Sequence, residues 1–250
     1  MSVGTPTQPE SFSDFGLLRH TLQAVERMGI TTPTPVQAEA IPALLAGRDV
    51  VGQAWTGSGK TLAFGIPIVE ICDPKVRGVQ ALVLVPTREL AIQVASVISL
   101  LAKPHQLDLQ LLYGGHSLAP ERKSLKNGAQ IIVGTPGRTL DHLRQGNLIL
   151  KHLRVCVLDE GDQMLDQGFA PDVERILEHT PKQRQTGLFS ATVPDWVSKI
   201  ASRQMHDPVT VRIHNAEEEP EIRHVVYQME AGAKLEALRT LLDQREEGPT

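Results

Sequence analysis

The segment Ala54-Trp55-Thr56-Gly57-Ser58-Gly59-Lys60-Thr61 holds the residue types from which a phosphate-binding loop is made. Glycines let the backbone curl until successive N–H groups face inward and form an anion-binding concavity, here lined by Thr56, Gly57, Ser58 and Gly59. A helix pattern, Leu62 to Cys72, follows directly and adds its N-terminal dipole. Lys60 has the reach for β and γ phosphates, and Thr61 has the hydroxyl that holds Mg²⁺. Ala54 replaces the glycine that usually opens the pattern. Far downstream, the apolar run Val155–Leu158 ends in Asp159-Glu160-Gly161-Asp162. A carboxylate at the end of a buried strand is costly unless it meets a cation or another partner. Asp159 is placed to ligate Mg²⁺, directly or through water, and Glu160 to orient or deprotonate an attacking water. The two segments together predict a site that binds a nucleoside triphosphate and hydrolyses it.

Such groups need a scaffold that brings distant segments to one edge. Apolar runs of strand length occur at Asp49–Ala54, Ala81–Val85, Leu109–Tyr113, Gln130–Val133, Arg154–Leu158, Gln185–Phe189 and Val209–Ile213. They are nearly continuous rather than alternating, as strands buried on both faces should be. Helical patterns lie between them, the clearest being Leu90, Val94, Val97, Ile98 and Leu101. This alternation predicts an α/β fold, a mostly parallel central sheet with helices on both faces, and ligands at the carboxyl ends of its strands. Both segments above follow a strand run, as that rule requires.

The chain has 250 residues, 41% of them hydrophobic and 22% charged, ample for one large domain plus a small piece. No apolar run is long enough to span a bilayer, so no membrane role is expected. Cys72 and Cys156 lie far apart in apolar surroundings, without a CxxC pair or a Cys/His cluster. Buried free thiols, no cysteine–histidine metal site and a cytoplasmic setting are expected. The net charge of −4 is unevenly spread. Residues 214–250 hold nine acidic and four basic residues, leaving 21 basic and 20 acidic in residues 1–213. Bulk charge therefore decides nothing about a nucleic-acid partner; local phosphate contacts must.

With these residues in place, the chain resembles the N-terminal RecA-like lobe of a DEAD-box ATP-dependent RNA helicase of bacterial type, over roughly residues 12–213. Gly29-Ile30-Thr31-Thr32-Pro33-Thr34-Pro35-Val36-Gln37 is similar to that family's Q motif. The resemblance implies a three-layer RecA-like P-loop NTPase fold, with ATP and Mg²⁺ as cofactors. Gln37 would read the adenine edge, donating and accepting at once, and Phe12 would stack on the base, with Phe15 as its neighbouring competitor. Pro86-Thr87-Arg88-Glu89-Leu90-Ala91, Gly114-Gly115 and Thr135-Pro136-Gly137-Arg138 follow successive strands and resemble the segments that grip an RNA sugar-phosphate backbone. Thr87, Arg88, Gly115, Thr135 and Arg138 would then be RNA contacts without base specificity. Ser190-Ala191-Thr192 resembles motif III, whose hydroxyls, at Ser190 and Thr192, would couple Asp159 and Asp162 to the rest of the site.

Two positions depart from the family's pattern. Gly161 stands where the family has alanine, which is expected to loosen the turn around Glu160 and Asp162 and reduce activity. Trp55 occupies a usually polar position and is expected to pack on a neighbouring loop. Residues 1–213 are expected to form the ATP-binding domain. Residues 214–250 would be an acidic linker with the first strand (Ile222–Met229) and helix (Lys234–Leu242) of a truncated second RecA-like domain. In the family that second lobe supplies arginines, and such groups are worth on the order of 10³–10⁵ in rate. A monomer that binds nucleotide but does not unwind RNA is the expectation for this length. The alternative is a non-catalytic RNA- or protein-binding module on the same fold. A serine-hydrolase reading of Gly115-His116-Ser117-Leu118-Ala119 lacks its final glycine and a later acid and histidine.

Overall fold

The computed structural model describes residues 9–213, 225–230 and 232–243. Seven strands form one sheet: β1 Val50–Gln53, β2 Ala81–Leu84, β3 Leu109–Leu112, β4 Ile131–Gly134, β5 Val155–Asp159, β6 Gln185–Ser190 and β7 Val209–Arg212. Their order is β3-β4-β2-β5-β6-β1-β7, and every neighbouring pair is parallel. All seven runs read from the sequence are strands, with no end shifted by more than one residue. The helices are α1 Arg19–Arg27, α2 Pro35–Leu45, α3 Lys60–Ile71, α4 Arg88–Ala102, α5 Ala119–Asn127, α6 Pro136–Arg144, α7 Gly161–Asp166, α8 Ala170–Glu178, α9 Asp195–Gln204 and α10 Lys234–Asp243.

The pleat sends alternate residues of each strand into two different cores. On β2, Ala81 and Val83 join the residues of α1 to α4, whereas Leu82 and Leu84 join those of α6 to α9. Ile131 and Ile132 of β4, and Val155 and Cys156 of β5, divide in the same way. That is why these strands are apolar at consecutive positions, and each fully buried Leu, Ile or Val contributes about 1.5–3 kcal/mol. The result is three layers, helices–sheet–helices. Cys72 and Cys156 are free and buried, and burial pushes their thiols up to about 12 and about 11.

Local signals fix where the helices begin. Pro35 opens α2, and the Gln37 side chain reaches back to the Thr34 N–H at 3.0 Å. Thr87 caps α4 by accepting the Leu90 N–H at 3.2 Å. The sheet order divides the functional edge in two. β1, β6 and β5 are adjacent on one side, and β2, β4 and β3 complete the other.

The chain divides into two compact units, Met1–His214 and Asn215–Thr250. In the second unit α10 forms where a helix was expected, with Leu235, Leu238 and Leu242 exposed. The strand expected over Ile222–Met229 is absent from its described part: residues 225–230 carry no strand. A β-branched pair such as Val225-Val226 makes a strand only when a neighbour takes its hydrogen bonds. Residues 214–224, which include the acidic linker, lie outside the described residues. Among the described residues no helix is long and apolar enough to cross a membrane.

Candidate functional site: a phosphate loop and a backbone groove on one sheet edge

The loop between β1 and α3 has the curl its sequence predicts. Gly57 and Gly59 sit at φ +91° and +95°, a region open to glycine at little cost. The N–H groups of Gly57, Gly59, Lys60 and Thr61 meet no backbone acceptor among the described residues. Lys60 is buried and donates from Nζ to the Ala54 carbonyl at 3.0 Å and to Glu160 Oε1 at 2.8 Å. Thr56 Oγ1 donates to the same carboxylate oxygen at 3.2 Å. Glu160 Oε2 and Ser58 Oγ are buried without a hydrogen-bond partner among the described residues. Open amides, a cation and orphaned oxygens at one place are what a bound phosphate chain with its divalent ion would satisfy.

Gln37 does something its motif did not announce. Its Nε2 donates to the Gly59 carbonyl at 3.0 Å while Oε1 holds Thr34 N–H, so the amide braces the phosphate loop. A Cβ at position 59 would sit 2.4 Å from Gln37 Nε2, a second reason for glycine there. Phe12 is 4% exposed and packs edge-on against Phe15 with ring centroids 5.9 Å apart. Stacking on a base would require that ring to leave the core. Trp55 is half-buried on the loop.

Across β6, the end of β5 delivers the acids. Asp159 is 2% exposed, and burial pushes its carboxyl up to about 7, against the pull of Lys60. One of its oxygens accepts the Glu160 N–H at 3.1 Å. Glu160 itself adopts left-handed backbone, φ +55° and ψ +53°, a conformation costly for a non-glycine residue that clusters at functional sites. Ser190 and Thr192 bind Asp162 rather than Asp159. Ser190 Oγ accepts the Asp162 N–H at 3.0 Å, and Thr192 donates N–H and Oγ1–H to Asp162 Oδ2 at 2.8 and 2.9 Å. Although partial burial opposes it, hydrogen bonds from Thr192, Ser190 and Gln163 hold the Asp162 carboxyl below its ordinary value. Position 161 is helical, and a Cβ there would find Val197 at 3.4 Å and nothing closer. Alanine would therefore fit, and the glycine answers no steric need.

The ends of β2, β3 and β4 bring together the segments expected to hold a phosphate backbone. A groove of about 600 Å³ is lined by Gly114, Gly115, His116, Thr135, Gly137, Arg138, Asp141 and Phe169. Arg88 is exposed, with its guanidinium 4.7 Å above the Tyr113 ring. Arg138 lies at the groove but is only 9% exposed, and its guanidinium is largely spent inside the protein. Its Nε donates to the Tyr113 carbonyl at 2.7 Å and Nη2 donates to the His116 carbonyl. Ser117 Oγ accepts the Ala119 N–H at the start of α5, a local turn rather than a nucleophile elbow.

Residues 34–200 match the model of the DEAD/DEAH box helicase family, well over half of the chain. The chain belongs to that family. It is 45% identical over 234 residues to the DEAD-box ATP-dependent RNA helicase CshA of Geobacillus kaustophilus, covering 93% of this chain and 50% of that protein. It is 46% identical over 239 residues to the ATP-dependent RNA helicase DeaD of Haemophilus influenzae, covering 95% of this chain and 39% of that protein. Among solved structures, a DEAD box protein from Methanococcus jannaschii superposes with a TM-score of 0.79 at 39% identity, covering 94% of this chain and 63% of that one. The chain thus spans half or less of the length of these two curated relatives. The fold is RecA-like, as the resemblance implied.

Within this DEAD-box domain the sequence reading missed the groups beneath the groove. Arg138, His116 and His142 converge on the buried carboxylate of Glu121, which the sequence analysis did not single out. Buried Glu121 and His142 lie on different helices, and no spacing rule joins them.

Proposed function

We propose that this chain is the ATP-binding lobe of a DEAD-box RNA helicase, one that couples ATP hydrolysis to local unwinding of RNA duplexes. The observation that carries this is the buried Lys60–Glu160 pair at the mouth of a curled loop, with Glu160 Oε2 left without a partner. A triphosphate entering there would take Lys60 and the loop amides, releasing Glu160 to orient or deprotonate water. Thr61 and Asp159 would hold Mg²⁺, which supplies neutralisation of the phosphate charge. A buried Asp159 carboxyl lifted to about 7 gains most from such a cation. Gln37 would read adenine with the one donor and one acceptor site its amide has left. Asp162, through Ser190 and Thr192, ties the β5 turn to the end of β6 and can pass changes at the phosphates onward.

RNA enters through the relatives, whose names describe ATP-dependent RNA helicases. Thr87, Arg88, Gly115 and Thr135 would meet the sugar-phosphate backbone, with Arg138 shaping the loop they share. The length of the relatives that lies outside this match leaves room for a second lobe, which would complete the cleft and supply transition-state charge. The isolated chain would therefore bind ATP or ADP weakly and not unwind. The test compares RNA-stimulated ATP turnover of this chain alone, of a two-lobed form and of its Glu160→Gln variant. Turnover only in the unsubstituted two-lobed form is expected. Robust turnover by the 250-residue chain would overturn the single-lobe claim. Equal inactivity of both two-lobed forms would favour a non-catalytic binding module.

A further inference from the structure

Beneath the groove lies a carboxylate that the hydrolytic site does not use. Glu121, in the first turn of α5, is 2% exposed. Its Oε1 accepts the Tyr113 N–H at 3.4 Å and lies 3.0 Å from His116 Nε2. Its Oε2 lies 2.8 Å from His142 Nε2 and 3.3 Å from Arg138 Nε. One buried group thus gathers the end of β3, the following loop, α5 and α6. The segment Tyr113–Ser117 between them has no backbone–backbone hydrogen bond of its own among the described residues. Its inner side is held by side chains: Glu121 takes the Tyr113 N–H and the His116 ring, and Arg138 takes the carbonyls of the same two residues. Gly114 and Gly115, the lining residues between them, have no side chains to anchor and a wide choice of backbone angles. A loop so free takes one shape only if its flanks are fixed, and both flanks are held by Glu121 together with Arg138, which Glu121 contacts.

We propose that Glu121 is a positioning residue for the backbone grip. It sets the shape of the Tyr113–Ser117 loop and the aim of Arg138 without touching RNA. The role in RNA binding rests on the proposed function; the role in shaping the loop does not. Charge matters here, because a carboxylate balances the Arg138 guanidinium and draws two imidazoles, whereas an amide can do neither as well.

The test uses the whole chain with Glu121→Leu and Glu121→Gln, the second keeping the size and one acceptor. Hydrogen exchange without RNA should show the Tyr113 amide, the one that Glu121 accepts, exchanging about tenfold faster in Glu121→Leu and less so in Glu121→Gln, the factor set by losing a buried hydrogen-bond partner. Amides Gly57–Thr61 of the phosphate loop should keep their rates. Binding of a labelled oligouridine should weaken by a similar factor while the affinity for a fluorescent ATP analogue holds. Unchanged loop exchange in both variants, or an equal rise in both loops, would overturn the proposal. Should Glu121→Leu not fold, the smaller rise in Glu121→Gln alone decides it. Should loop exchange respond while the unsubstituted chain binds no oligouridine, the positioning role stands and the RNA reading falls.

Discussion

Around the ends of β1, β5 and β6, the polar groups expected to act on a ligand hold one another: Lys60 on Glu160, Thr192 on Asp162, Gln37 on Gly59. Around the ends of β2, β3 and β4, one guanidinium stands exposed over a ring while the other is turned inward as scaffold. The first region is a closed set waiting for something to exchange partners with. The second is a formed surface, its shape fixed beforehand and its contacts left outside. That difference suits the chemistry each would serve. Phosphoryl transfer needs groups that change partners during the reaction, whereas holding a sugar-phosphate backbone needs only donors at fixed places.

Substitutions on each side can break this contrast. The largest effect is expected from Lys60→Ala, which should weaken ATP binding about 100-fold or more, the size expected on removing one partner of a buried charge contact. Titration with a fluorescent analogue measures it, and near-normal affinity would show that the loop does not need its cation. Arg138→Ala should cost about 1–3 kcal/mol of stability in urea unfolding, because the Tyr113 and His116 carbonyls lose their donor. Arg88→Ala, at an exposed position, should cost about 0–1 kcal/mol. Equal costs would erase the distinction between scaffold and contact.

The next effect depends on pH. With the Asp159 carboxyl at about 7 in the folded chain against an ordinary 3.8, the folded state binds more protons than the unfolded one between those limits. Stability without metal or nucleotide therefore falls as pH rises through that window. Asp159→Asn removes the fall, so the variant should exceed the unsubstituted chain above pH 7 by on the order of 1–3 kcal/mol and lose this advantage near pH 4. A constant difference across the range would place the origin elsewhere. The smallest effect is expected from Gly161→Ala, a stabilisation of about 0.5–1 kcal/mol, since the site is helical and has room. A loss of stability would mean that the turn after Glu160 needs its glycine.

The strands were legible because burial on both faces leaves unbroken apolar runs, and the phosphate loop because its glycines serve a backbone shape that nothing else adopts cheaply. What stayed hidden has a different physical character. Arg138 was read as a contact because a Thr-Pro-Gly-Arg segment shows only that an arginine follows a helix start; whether it turns inward depends on Glu121, on another helix. Phe12 was read as a base platform, but the short 3-10 turn carrying it rolls the ring into the core. Gln37 was visible, yet its grip on Gly59 spans two elements and leaves no periodic trace. The strand expected over Ile222–Met229 is missing from its described residues, 225–229, for the converse reason. Local composition favours an extended chain there, but a strand is a property of two segments.

The Lys60–Glu160 pair carries a consequence for time rather than affinity. Both side chains are almost wholly shielded from solvent, so dissolved salt screens their attraction poorly. A nucleotide binding at the loop as proposed would first have to wait for that contact to open or force it apart. Nucleotide binding there would then be a collision followed by a slower rearrangement, and the observed rate would level off as nucleotide concentration rises. Ionic strength would alter the collision and leave the plateau nearly untouched.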